Sequence, residues 1–305
     1  MTPRLEGHAA MLAFSALVAG SFALGGEIAN DIDPSALNAV RFWIGVVIMG
    51  TVVAVTTGFN RRAFQAPWRY AVLGGLFSIY FVLMFEGLKT AKPVSAAAVF
   101  TLTPVVAGFF GWILLRQVTT PRMAVALTIG GCGALWVIFR ADLAALRAFD
   151  VGRGEMIYFV GCVAHALYTP MVRKLNRGEP AVVFTFGMLV AGAVLLTVVG
   201  WPKIVATQWS ELPLMVWITL AYLAIFASSM SFLLLQVATL RLPSAKVMAY
   251  TYLTPTWVIG WEIMLGNGAP TPLVLGGIAL TVIALAMLLR DEEKPNLEQS
   301  LTPSR

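Results

Sequence analysis

The chain has 305 residues, 59% hydrophobic and 12% charged, with a mean hydropathy of +0.82 and a formal net charge of +6. Soluble domains carry roughly twice that share of charge, and no core of this size hides so much apolar surface, so the solvent of most of the chain is lipid. Its basic residues stand singly between apolar runs, which excludes a nucleic-acid partner; two cysteines and two histidines exclude a disulfide framework and a dedicated His-rich metal site.

A hydrocarbon core about 30 Å thick takes about 20 apolar residues of helix. In chain order the sequence offers ten such runs, at about 8–29, 35–57, 66–88, 93–115, 121–139, 154–175, 180–200, 212–238, 244–265 and 271–290. The first is long enough to span and is followed at once by another, so it reads as a span and not as a cleavable signal. None alternates polar and apolar as a barrel strand does. Turn residues mark the gaps, as at Asn30-Asp31-Ile32-Asp33-Pro34 and Gly266-Asn267-Gly268. The reading is an all-α integral membrane protein.

Lys and Arg set the orientation. With the N-terminus inside, 14 of the 21 fall on inner segments: Arg4, Arg61, Arg62, Arg69, Arg116, Arg122, Arg173, Lys174, Arg177, Arg241, Lys246, Arg290, Lys294 and Arg305. Six lie outside (Lys89, Lys92, Arg140, Arg147, Arg153 and Lys203), and Arg41 sits within a span. Both termini are expected in the cytoplasm. The 140–153 connection dissents, its three arginines offset by Asp142 and Asp150.

The two halves repeat. Leu102-Thr103-Pro104 recurs as Leu253-Thr254-Pro255, each about 11 residues after a helix-opening proline, Pro93 or Pro243, and Thr128-Ile129-Gly130-Gly131 resembles Val274-Leu275-Gly276-Gly277. Five spans per half is an odd number, so homologous halves lie in opposite orientations, an arrangement of transporters with a midplane site. The expected division is a first repeat over 1–148, a second over 149–290, and a cytoplasmic tail at 291–305.

These features resemble the drug/metabolite transporter superfamily in its ten-helix, EamA-like branch. The resemblance rests on Ala39-Val40-Arg41-Phe42, Gly87-Leu88-Lys89, Ser95-Ala96-Ala97 and Leu102-Thr103-Pro104. The second half adds Leu167-Tyr168, Arg173-Lys174-Leu175 and Leu253-Thr254-Pro255. Where that family commonly shows Gly-Glu-Arg after spans four and nine, Leu115-Arg116-Gln117 and Gly266-Asn267-Gly268 stand here, so no role for those glutamates carries over. The resemblance implies a bacterial inner-membrane exporter. With the aromatic richness of the chain, it implies aromatic or other apolar amino acids as cargo.

Ionisable groups inside spans are expensive and mark function by default. Glu27, Glu86 and Glu262 close spans one, three and nine near the expected outer face, with Arg41 one to two turns below. Two readings stand: a structural ion pair of Arg41 with Glu27 or Glu86, or a gate that meets a zwitterion. No Asp or Glu falls near a midplane, so the usual proton-coupling carboxylate is absent and uniport becomes an option; His165 is the one midplane group suited to protons. Tyrosine prefers the membrane interface, so midplane tyrosines suggest a wetted cavity. The candidate lining is Ser78, Tyr80, Thr101, His165, Tyr168, Tyr250, Tyr252 and Trp257. Pro104 and Pro255 are a matched pair, either hinges or plain kinks. Spans five and ten carry little polar matter and belong at the periphery.

Membrane-embedded enzymes are disfavoured: His-Glu-x-x-His is absent, every Asp lies in a loop or tail, and no serine elbow appears. No cofactor is called for. The expected function is export of small amphipathic solutes by alternating access, spans one to four rocking against six to nine, in a protein that works as a monomer in the bilayer. The alternative is proton-coupled export of another metabolite or a drug.

Overall fold

A computed structural model describes residues 3–118, 120–139, 141–148 and 151–290. Among them every regular element is helical, as lipid demands of a chain that must satisfy its backbone within each segment. Ten spans appear: α1 (Pro3–Ile28), α2 (Pro34–Thr56), α3 (Trp68–Leu88), α4 (Pro93–Phe100 and Thr103–Leu115), α5 (Pro121–Ile138), α6 (Arg153–Leu175), α7 (Ala181–Ala206), α8 (Leu214–Thr239), α9 (Ser244–Ala249, Tyr250–Leu253 and Thr254–Met264) and α10 (Pro272–Arg290). A short helix, Leu143–Ala148, lies between the halves. The expected positions of Arg140, Asp150, Lys294, Arg305 and the 291–305 tail, and the residues just after the 148 boundary, lie outside the described residues.

Proline punctuates the repeat. Pro34 and Pro180 open or cap α2 and α7, Pro67 and Pro213 cap α3 and α8, Pro93 and Pro243 stand at α4 and α9, and Pro121 and Pro272 open α5 and α10. At a first helical turn the missing N–H has no intrahelical partner to lose. Polar caps reinforce two of these starts: the Asp33 carboxylate accepts from Ser35 N at 2.8 Å, and Thr120 Oγ from Met123 N at 3.1 Å.

Four spans differ from a plain helix of the expected bounds. Helix α7 runs on to Ala206, beyond the expected end at 200, through Trp201, Pro202 and Lys203; apolarity ends with the hydrocarbon, but a helix does not. Helices α4 and α9 are broken just before Pro104 and Pro255, and the breaks touch, Thr103 Oγ lying 3.3 Å from Thr251 Oγ. Helix α8 carries a π-helical turn at Ile225–Met230, a distortion that recurs at functional sites.

Packing follows a pseudo-two-fold exchange of α1–α5 with α6–α10. Helices α2 and α7 lie antiparallel, with Ser35 beside Gly200 at one end and Val53 beside Val183 at the other. The pairs α5–α10 and α4–α9 are antiparallel too, and α3–α6 is matched by its equivalent α8–α1. Equivalent helices that run antiparallel require the axis to lie in the membrane plane, so the repeats are inverted.

The repeats are not, however, the packed bodies. Helices α3 and α4 both pack on α6, and α8 and α9 both pack on α1; α3 also lies on α7, and α8 on α2. Each body therefore takes two helices from one half and two from the other. They meet along α2–α7 and α4–α9, with α5 and α10 paired at the side. Spans one to four and six to nine interlock through the α3–α6 and α1–α8 interfaces. The two four-helix groups are α1, α2, α8 and α9, and α3, α4, α6 and α7.

Close crossings depend on glycine. A Cβ on Gly74 of α3 would meet Gly192 N of α7 at 2.6 Å and Met188 O at 2.8 Å. Gly74→Leu is expected to push α3 off α7 and destabilise the protein by about 1–3 kcal/mol. Thermal unfolding in detergent would show a lowered midpoint; an unchanged midpoint would mean that the crossing is looser than described.

Candidate functional site

The body formed by α3, α4, α6 and α7 presents an aromatic cluster to its partner at mid-depth. From α3 come Phe77, Tyr80 and Phe81; from α4, Phe100; from α6, Tyr158, His165 and Tyr168. His165 stacks on Phe100 with centroids 5.2 Å apart and lies 4.5 Å from Tyr80, whose hydroxyl meets that of Tyr158 at 3.1 Å. Phe77 lies 4.0 Å from the Tyr168 ring.

The opposing body closes on this cluster with Phe232 and Gln236 of α8 and Phe22 of α1. Phe232 stacks on Phe77 at 4.4 Å, Phe22 meets Phe100 and Tyr158, and the Gln236 amide donates to the Tyr168 hydroxyl at 2.7 Å. The Tyr168 hydroxyl in turn faces Met188 Sδ at 3.0 Å. Several polar atoms in this region are buried with no partner among the described residues: both His165 ring nitrogens, Gln236 Oε1 and Ser231 Oγ. Buried polar groups are normally satisfied. Aromatic faces beside unspent hydrogen-bonding capacity are the two kinds of contact that an amphipathic solute uses.

Arg41 enters from α2 and is fully buried. It makes no ion pair with Glu27 or Glu86, as one sequence reading had it. Its Nε donates to Ser228 Oγ at 2.5 Å, Nη2 to Ala227 O at 2.7 Å and Nη1 to Asn38 Oδ1 at 3.3 Å, and its plane lies 3.9 Å over Phe81. The π turn of α8 supplies both Ala227 and Ser228, which is how the guanidinium is met two turns inside the span. Glu86 instead takes Lys89 at 2.7 Å, and Glu27 accepts from Asn267 at 2.8 Å. Both carboxylates sit at helix ends, out of reach of a side chain that points inward.

Of the expected lining, Tyr80, His165 and Tyr168 come together, and the others do not. Ser78 turns back to Gly74 O at 2.7 Å and borders an apolar groove between α3 and α7 with Leu195 and Val199. Thr101 caps its own helix break, donating to Ala98 O. The Tyr250 hydroxyl meets His8 Nδ1 at 3.0 Å near the start of α1. Tyr252 packs against Gly130 of α5, and Trp257 reaches Ser15 at 3.3 Å with much of its ring exposed. Depth alone located these five, and depth says nothing about azimuth. The phenylalanines, Tyr158 and Gln236 were missed because an apolar ring in an apolar span carries no signal; Gln236 did carry one, as an amide within a span.

At the face bearing the N-terminus, Arg69 and Glu179 form a buried pair at 2.6 Å. Arg69 also donates to Leu175 O at 2.7 Å and Ala63 O at 3.2 Å, tying the start of α3 to the α6–α7 loop. Burial pushes the Glu179 carboxyl up most strongly. The hydrogen bonds from Arg69 and from the backbone amides of Arg177 and Glu179 together outweigh it and hold the pKa below the usual glutamate value.

A ten-span inverted repeat packed around a buried aromatic cluster is the architecture of a multi-pass membrane protein. The EamA-like transporter family model matches residues 5–139 and 152–290, and the chain belongs to that family. It is 26% identical over 298 residues to an uncharacterized transporter, YyaM, of Bacillus subtilis (strain 168), covering 95% of this chain and 96% of that one. A solved crystal structure of a protein shares the fold, with a TM-score of 0.70 at 22% identity over 94% of this chain and 96% of the other.

Proposed function

We propose that the protein exports small amphipathic solutes, aromatic or other apolar amino acids foremost, by alternating access around the Phe77–Tyr80–Phe100–His165–Tyr168 cluster. The observation that carries this reading is the buried cluster itself, where aromatic faces stand beside unpartnered polar atoms at the junction of the two bodies. The bodies α1, α2, α8, α9 and α3, α4, α6, α7 would rock about the α2–α7 seam, with the touching breaks of α4 and α9 as the flexible point. The Lys/Arg distribution supports an inner-membrane protein with both termini in the cytoplasm, and one copy contains the whole cluster. The division into repeats at 148/149 belongs to the same reading.

The central cluster holds no carboxylate among the described residues, which favours uniport. The unpartnered His165 nitrogens support a second reading, proton-coupled export of another metabolite or a drug. Flux of labelled tryptophan, phenylalanine, threonine and lysine into proteoliposomes, with and without a pH gradient, separates them. Aromatic flux indifferent to the gradient is the expected result. Flux that follows the gradient, and is lost in His165→Phe, would favour coupling; absence of flux for all four would retire amino acids as cargo.

A further inference from the structure

Arg41 poses a question of charge. Its guanidinium is fully buried, yet its three partners, Ser228 Oγ, Ala227 O and Asn38 Oδ1, are all neutral, and no carboxylate pairs with it among the described residues. A buried cation without a counter-charge costs several kcal/mol, and proteins seldom leave one so. Those partners engage one donor on each nitrogen. A guanidinium has five, so one N–H remains on each Nη, the pair that a carboxylate accepts in a two-bond contact.

The surroundings fit the same occupant. Asn38, Ser228 and Ala227 belong to α2 and α8, which pack in one body, so Arg41 is held in place before any solute arrives. The group it faces, Phe81, belongs to the other body and stacks in turn near Phe77 and Phe232. A fixed cation on one body thus meets an aromatic surface on the other.

We infer that Arg41 anchors a carboxylate of the transported solute, whose apolar part rests on Phe77 and Phe81. The inference rests on the transport reading above and narrows it: the obligatory group is the carboxylate, and the amine is secondary. In this structure Phe81 covers the guanidinium. A solute carboxylate supplies the missing charge and draws the aromatic surface of the other body to its apolar end.

The test is equilibrium binding to the full-length protein in nanodiscs, with phenylalanine, 3-phenylpropionate (no amine) and phenethylamine (no carboxylate). The expected result is that the two carboxylates bind at least about tenfold more tightly than the amine, the value of one charged hydrogen bond. Arg41→Gln should erase that preference, and Arg41→Lys should keep part of it. Phenethylamine binding as tightly as 3-phenylpropionate, or Arg41→Gln binding the acid as the wild type does, would overturn the proposal. Because Arg41→Gln removes a buried donor set, its unliganded melt and elution profile are compared first, and the wild-type preference decides alone if it misfolds. If none of the three binds, aromatic cargo is wrong and a second series judges Arg41: acetate to octanoate, leucine and malate, each against its amide. A rise in thermal midpoint specific to carboxylates and lost in Arg41→Lys or Arg41→Gln supports the anchor; no rise with any carboxylate refutes it.

Discussion

Cross-linking Gly26→Cys to Pro93→Cys is expected to abolish flux, while cross-linking Glu27→Cys to Asn267→Cys leaves it largely intact. Gly26 of α1 abuts Pro93 at the start of α4: a Cβ on Gly26 would meet Pro93 Cγ at 2.7 Å. Those helices share a sequence half but lie in different packed bodies. Glu27 and Asn267 are in contact at 2.8 Å and come from different halves, yet both belong to the body of α1, α2, α8 and α9. Alternating access requires the bodies to separate at one face at a time, so a covalent tie across them stops the cycle whatever the cargo. A tie within one body restrains nothing that moves. Exposed Cys132 is replaced by Ala first, and buried Cys162 is left. Flux before and after oxidation, with reductant restoring it, checks the result. The reverse pattern, with only the Glu27–Asn267 tie inhibiting, would mean that the sequence halves are the moving units.

Breaking the Arg69–Glu179 pair should give the largest loss of stability of any single surface-facing change. The side chains are 2% and 8% exposed, and removing one partner of a buried pair costs about 3–5 kcal/mol because the other is left uncompensated. Arg69→Met should exceed Glu179→Gln, since it also orphans the Leu175 and Ala63 carbonyls. Arg69→Lys should recover little, because an ammonium cannot match a fork that serves three acceptors. The pair also sets an acid limit. The Glu179 pKa is depressed in the folded protein, below an ordinary value of about 4.5. A depressed carboxylate contributes its full stabilisation above the unfolded pKa and loses it as pH falls through the folded one. Melting of the wild type should therefore weaken below about pH 4, and Glu179→Gln should show a flatter profile there. Equal acid sensitivity in both would assign the effect elsewhere.

His165 shows how far a linear reading reaches. It was singled out as the lone titratable midplane group, and it does lie at the centre, stacked on Phe100 with both nitrogens unpartnered. Tyr250 and Tyr252, chosen by the same depth argument, turn toward α1 and α5 instead, because the 3-10 turn before Pro255 rotates them off the face a continuous helix would give. Arg41 was recognised as costly and given the wrong partner, since its neighbour is a π turn nearly 190 residues away in the chain.

What the sequence determined by itself was the number of spans, their inversion and their family. Those depend on length of apolar run, on parity and on matched prolines, all of which are local and additive along the chain. What only the tertiary structure decided was azimuth: which side of each helix faces its neighbours, and which helices pack together. The reason lies in the solvent. A helix in water reveals its buried face by contrast with a polar one, whereas a helix in lipid is as apolar outside as in. The inward face is then chosen by shape, by glycine crossings such as Gly74 on Gly192 and rings that fit between them, and shape exists only once the helices have met.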